Sequence, residues 1–291
     1  MTSLAAWKAA GAGFEFKGRR IFCREGGSRA APALLLIHGF PSASWDYAPM
    51  WEALAARYRV LTLDMLGFGF SDKPARHDYS IHEQADLFEA LLQRHGVGEV
   101  HLLAHDYGVS VAQELLARHC EGSGAARLAS VVFLNGGLFP ETHNRLVSQS
   151  LLLSPLGPLM SRLMSKQTLS ANLRRVFGPK VPPSPEFLDG TWDMLAFQGG
   201  ARILHRLIHY IPDRIRHRER WVAALQGRAA PIRLIDGVSD PVSGGPMVRR
   251  YRELVPEPDV IELDGIGHYP QVQAPEAVLA ATFAFHAGLQ P

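Results

Sequence analysis

Six short runs of apolar and β-branched residues recur along the chain, separated by longer stretches of helical periodicity: ALLLIHG (33–39), YRVLTLDM (58–65), EVHLLAHD (99–106), LASVVFLNGG (128–137), PIRLIDG (231–237) and DVIELDG (259–265). Runs apolar at consecutive positions have no face to show water, so they predict strands buried on both sides, in a mostly parallel sheet covered by helices. Two earlier runs, FEFKG (14–18) and RRIFCREG (19–26), predict an antiparallel hairpin at one edge. Together they predict an α/β fold with an eight-stranded sheet.

Between 138 and 226 the strand rhythm stops. This stretch carries eight prolines and several amphipathic pieces, among them ARILHRLIHYI (201–211), which places Ile203, Leu204, Leu207, Ile208 and Ile211 on one helical face. The pattern predicts a helical insertion at 138–226, with the core domain formed by 1–137 and 227–291. Entering after one strand and leaving before the next, the insertion is expected over the carboxyl ends of the sheet, where open α/β sheets bind ligands.

Composition narrows the function classes. The 291 residues are 47% hydrophobic and 20% charged, and 30 basic against 28 acidic side chains leave a formal charge of +2. That balance argues against nucleic acid or an anionic surface as the main partner. The basic cluster RIRHRER (214–220) reads as a solvated helix face. Cys23 and Cys120 lie far apart, which points to a reducing compartment and no disulfide framework. The N-terminus is a poor signal peptide, and the apolar patch at 146–164 is broken by Pro155 and Pro158, so no membrane span and a cytoplasmic location are expected. His205 and His209 lack a carboxylate companion; no metal and no cofactor are expected.

The chemistry centres on LLAHDYGVSVAQELL (102–116). An apolar run, a sharp turn with small residues (Ala104 and Gly108) around Asp106, and then a helix form the setting of a nucleophile elbow, with aspartate where serine is usual. Aspartate is also a good helix N-cap, so from this stretch alone Asp106 is either a cap or a nucleophile. LIHGFP sets a loop after an upstream strand, where the Phe40 N–H can join the Tyr107 N–H as an oxyanion hole. Downstream, Asp240 in LIDGVSDPV and His268 in LDGIGHYPQ each follow a strand. The order nucleophile, acid, histidine favours catalysis, and since a carboxylate at a helix N-terminus is stabilised there, Asp106 is expected to be both nucleophile and cap.

These motifs resemble the α/β-hydrolase superfamily over nearly the whole chain, and the aspartate places the sequence near epoxide hydrolases and haloalkane dehalogenases. A narrower resemblance, carried by HDYG, VAQELL, NGGLFPETH, VFGP, WDM, RERWVAAL and GHYPQ between Leu35 and Ala277, is to the mesoderm-specific transcript family. The superfamily resemblance implies attack by Asp106 on a saturated carbon, giving an alkyl ester that His268 then hydrolyses with Asp240 orienting its ring. An epoxide needs a proton donor, supplied in that family by cap tyrosines; a halide needs N–H donors, usually including a tryptophan beside the nucleophile. Tyr107 beside Asp106 and Phe40 after His-Gly tilt the resemblance toward epoxides. Residues 138–226 contain only Tyr210, the expected proton donor. His38, Pro41, Trp45 and Trp192 are expected to contact substrate, and Leu151 to Met164 to supply apolar lining. The expected partners are a small hydrophobic substrate and water, with a monomer or homodimer as the assembly. The alternatives are a haloalkane dehalogenase and a non-enzymatic binding protein on a hydrolase scaffold.

Overall fold

The computed structural model describes residues 2–289. Its eight strands, β1 (Ala12–Phe16), β2 (Arg19–Gly26), β3 (Ala33–Ile37), β4 (Arg59–Leu63), β5 (Glu99–Ala104), β6 (Arg127–Phe133), β7 (Ile232–Gly237) and β8 (Val260–Leu263), form one sheet in the order β1-β2-β4-β3-β5-β6-β7-β8. β1 and β2 pair antiparallel, as do β2 and β4; every other neighbour is parallel. The consecutive apolar runs explain the sheet's position. Leu34 to Ile37 of β3 and Arg59 to Leu63 of β4 are buried on both faces, as an interior parallel strand requires.

The helices before the insertion are α1 (Leu4–Ala9), α2 (Trp51–Ala55), α3 (Ile81–Arg94) and α4 (Tyr107–Cys120). Ser80 starts α3 by accepting the Glu83 N–H at 3.1 Å, and Ile81, Ala85, Phe88 and Leu92 repeat along its buried face. α4 is buried from Tyr107 to Ala117, which makes it the central helix of the fold.

Between β6 and β7 come α5 (Val147–Leu153), α6 (Gly157–Arg162), α7 (Lys166–Val176), α8 (Pro185–Ala196), α9 (Leu204–Leu207), α10 (Tyr210–Arg216) and α11 (Arg218–Gln226), with no strand among the described residues. After β7 follow α12 (Gly245–Leu254), α13 (Pro270–Gln273) and α14 (Pro275–Ala287). The insertion bears on loops that follow strand ends: the Val176 carbonyl accepts the His268 N–H at 2.9 Å, the Asn144 N–H donates to Val242 at 3.1 Å, and Phe187 stacks on Trp45. All five apolar residues predicted on one face at 201–211 are buried, but not as one helix. The chain breaks between α9 and α10. Pro212 supplies no N–H to the carbonyl of residue 208 and its ring crowds that carbonyl, so a continuous helix through Ile208 and His209 is disfavoured. No helix among the described residues is long and apolar enough to cross a membrane.

The basic cluster is not the solvated face its composition suggested. Arg218 pairs with Glu141 at 2.5 Å, Arg220 with Glu114 at 3.0 Å, and Arg214 is 1% exposed. Glu114 on α4 also accepts from Arg118 at 3.0 Å and from the Trp221 indole at 2.9 Å. This buried carboxylate binds α11 to the central helix.

Candidate active site

Asp106 follows β5 directly and has φ 48° and ψ −107°, a conformation that costs a non-glycine residue about 1–3 kcal/mol. The strain is held by neighbours. The Asp106 N–H donates to Asn135 at 2.8 Å, and its carbonyl accepts from Val109 at 3.1 Å and from Arg214 Nη2 at 2.9 Å. Gly108 lets the turn lie against β3, since a Cβ there would meet the Ile37 carbonyl at 2.5 Å. The expected capping role is not met in this conformation. The Asp106 side chain makes no hydrogen bond to the first turn of α4, so its carboxylate is free of the helix it precedes.

The structure brings Asp106, Asp240 and His268 together. Oδ2 of Asp106 accepts the Phe40 N–H at 2.9 Å, while Oδ1 lies 3.7 Å from His268 Nε2. His268 Nδ1 lies 2.6 Å from Asp240 Oδ2. Asp240 is itself held by the Val242 N–H at 2.8 Å, the Ser243 hydroxyl at 2.7 Å and Asn135 Nδ2 at 3.2 Å. Asn135, at the end of β6, thus ties both carboxylate loops together. The Tyr107 N–H has no acceptor among the described residues, and the Phe40 N–H is the donor on Asp106 Oδ2.

Burial disfavours charge on each member of this group, yet the charges hold one another. Burial raises the Asp106 pKa, but His268 and then Arg214 outweigh it and hold the carboxyl well below the usual range. Burial lowers the His268 pKa, but Asp240 and Asp106 raise it to about 10. Asp240 is likewise lowered by His268 against its own burial. Beneath them, His105 Nε2 is 2.6 Å from the His268 carbonyl, and burial holds that ring neutral, its pKa down at about 3.

A cavity of about 80 Å³ opens on this group. Asp106, His268, Phe40, Pro41 and Tyr269 form one end; Leu146, Leu152, Met164, Leu169, Leu173, Val176 and Leu204 line the rest, with Ser148, Gln149 and Asn172 as polar exceptions. The apolar wall thus includes Leu152 and Met164 of the predicted 151–164 stretch, but much of it comes from α7.

Three residues expected to contact substrate do not line this cavity. His38 is fully buried, its Nε2 accepting the Met65 N–H at 3.0 Å and its Nδ1 2.9 Å from the Gly39 carbonyl, so both ring nitrogens serve the loop that carries Phe40. Trp45 donates its indole N–H to Thr2 at 3.0 Å and stacks on Phe187, joining α8 to the core. Trp192 is half-buried on α8, packed against the core. Tyr210 lies behind the wall: its ring sits 5.8 Å from Phe40 and 5.0 Å from Tyr107, and its hydroxyl meets Gln149 Nε2 at 3.5 Å. Tyr269, absent from the sequence-based site, is on the wall and stacks on Phe177. Its place directly after His268 in GHYP was the available signal. Arg214 was also absent; nothing in a run of four arginines marks the one that turns inward.

A family model described as alpha/beta hydrolase fold matches residues 32–275. The human mesoderm-specific transcript homolog protein is 43% identical, covering 97% of this chain and 88% of that protein. A Mycobacterium tuberculosis protein named hydrolase LipZ is 39% identical over 97% of each chain. The crystal structure of a haloalkane dehalogenase loop variant from Bradyrhizobium elkanii superposes with a TM-score of 0.81 at 21% identity, covering 96% of both chains, a likeness of fold. The eight-stranded sheet, the family match across most of the chain and relatives at this identity make one conclusion: the chain belongs to the alpha/beta hydrolase fold family.

Proposed function

We propose that this hydrolase-fold protein uses Asp106 as a nucleophile, forms an alkyl ester on it, and converts hydrophobic epoxides to diols beneath a helical cap at 138–226. The carrying observation is the division of labour between the two Asp106 oxygens. Oδ2 is held by the Phe40 N–H at 2.9 Å, and Oδ1 lies 3.7 Å from His268 Nε2, in a residue that lines the cavity. A carboxylate kept ionised in an apolar cavity attacks a saturated carbon without a base.

In the first step Oδ1 bonds to an epoxide carbon, the C–O bond breaks, and the oxygen takes a proton from a tyrosine hydroxyl. Burial raises the pKa of both Tyr269 and Tyr210, so each keeps its proton to give. Tyr269 is the better placed, being on the cavity wall. In the second step His268 takes a proton from water, and the resulting hydroxide adds to the ester carbonyl. Esterification first removes one of the two negative charges that raise the His268 pKa, so the ring passes its proton to the tyrosinate, which restores the tyrosine and leaves His268 neutral to act as the base. The N–H groups of Phe40 and Tyr107 then face the oxyanion, and its collapse expels the alkoxide, which takes the proton of the new carboxyl, so the diol leaves, Asp106 is again a carboxylate and His268 keeps the proton it took from water.

Among the described residues no tryptophan lines this cavity, which favours epoxides over halides. Trp192 is off the cavity wall, and the Trp221 N–H is committed to Glu114 at 2.9 Å. Single turnover of styrene oxide in heavy-oxygen water tests the proposal: label enters the Asp106 carboxylate if the ester forms, and diol produced with an unlabelled Asp106 refutes it.

A further inference from the structure

One cation of the basic cluster is carried into the interior. Arg214 on α10 donates Nε to the Ser110 hydroxyl at 2.6 Å and Nη2 to the Asp106 carbonyl at 2.9 Å. Its Nη1 is 3.5 Å from His143 Nδ1, and its guanidinium lies 4.6 Å from the centre of the Tyr210 ring. Burial and the Arg214 charge hold His143 neutral, its pKa down at about 4, so that ring nitrogen can accept. A buried cation needs a counter-charge. Among the described residues, the acidic group within ion-pair range is Asp106, with Oδ1 at 3.9 Å.

The core is shaped to admit this side chain. A Cβ on Gly137 would sit 2.4 Å from Arg214 Nη1 and 2.8 Å from its Cζ, so the guanidinium reaches the elbow because that position after β6 has no side chain. Ser110, one turn into α4, supplies the other anchor. A bare core loop, the elbow helix and an inserted helix therefore meet at the backbone of one strained residue.

We propose that Arg214 is a positioning residue that latches α10 onto the Asp106 elbow, fixing the Asp106 carbonyl and acting as the carboxylate's buried counter-charge. The kinetic half of this inference rests on the reading of Asp106 as nucleophile; the latch does not. The planar fork reaches Ser110 and Asp106 at once, which a lysine ammonium cannot reproduce. Esterification neutralises Asp106 and leaves Arg214 uncompensated, so its field favours the anionic tetrahedral state of the second step.

Hydrogen exchange read by mass spectrometry on substrate-free R214M, R214K and G137A tests the latch. Exchange at 204–217 and 106–110 is expected to accelerate about tenfold in R214M and G137A and less in R214K, with β3 and β5 unchanged. In styrene oxide turnover, kcat is expected to fall about 100-fold in R214M and G137A with KM within about threefold, and R214K to recover part of the loss. G137A keeps the charge and decides the matter if R214M does not fold. Unchanged exchange in the folded variants overturns the latch at any activity, and accelerated exchange with wild-type kcat overturns the positioning role. A wild-type protein inactive on epoxides would defeat the proposed reaction, while the exchange result would still decide the latch.

Discussion

The Phe40 N–H and Asp106 Oδ2, 66 positions apart in sequence, are joined by a 2.9 Å hydrogen bond that makes the two oxygens of one carboxylate unequal. Oδ2 is held where negative charge is stabilised, and Oδ1 is left toward His268 at 3.7 Å. If Asp106 attacks through Oδ1, D106A abolishes turnover of every substrate while leaving the fold intact. Retained turnover of any epoxide or haloalkane by purified D106A, measured by product chromatography, removes Asp106 as the nucleophile.

His268 separates the two steps. H268Q is expected to form the alkyl enzyme and stall, leaving one substrate mass on the peptide that contains Asp106. Steady-state turnover by H268Q with no accumulated adduct contradicts the base assignment.

The His268–Asp240 pair also sets a pH dependence of stability. Folding raises the His268 pKa from 6.5 to about 10, because Asp240 and Asp106 outweigh burial. A raised pKa stabilises the native state fully below about pH 6.5, and that contribution is lost as pH rises through about 10. Urea melts between pH 6 and 10 should show this decline, reduced in D240N. D240N should also cut kcat by about 10⁴-fold by releasing the ring's orientation. A D240N profile parallel to wild type refutes the linkage.

Two tyrosines compete for the donor role. Tyr269 lines the cavity, whereas Tyr210 stands behind Gln149. Y269F is therefore expected to slow epoxide opening by about 100-fold, with a smaller effect in Y210F and no effect of either on a brominated alkane. The reverse order on styrene oxide transfers the role to Tyr210.

Glu114 offers a test of the scaffold. This buried carboxylate accepts from Arg118, Arg220 and Trp221, and although burial opposes its charge those three partners hold its pKa down to about 2. E114A strands the partners and should cost about 3–5 kcal/mol in urea unfolding. Because the pKa is depressed, the stabilisation is present above about pH 4.3 and is lost as pH falls through about 2. A change under about 1 kcal/mol at pH 7 would place Glu114 among the weak surface pairs.

The sequence by itself determined the sheet and the chain order of the candidate chemistry. Runs such as ALLLI are apolar at successive positions, and their short length and regular recurrence between helical stretches make them strands covered on both faces; Asp106, Asp240 and His268 then fall after strand ends by counting alone. Tertiary structure decided what surrounds that group. It drew Arg214 out of a basic cluster onto a carbonyl 108 positions away, set Tyr269 rather than Tyr210 on the cavity wall, gave His38 and Trp45 to internal hydrogen bonds, and turned the Asp106 carboxylate away from its helix. The physical reason is range. Burial periodicity is written in neighbouring residues, whereas the partner of a buried charge, the residue that walls a cavity and the room a missing Cβ leaves are fixed only when distant segments pack together.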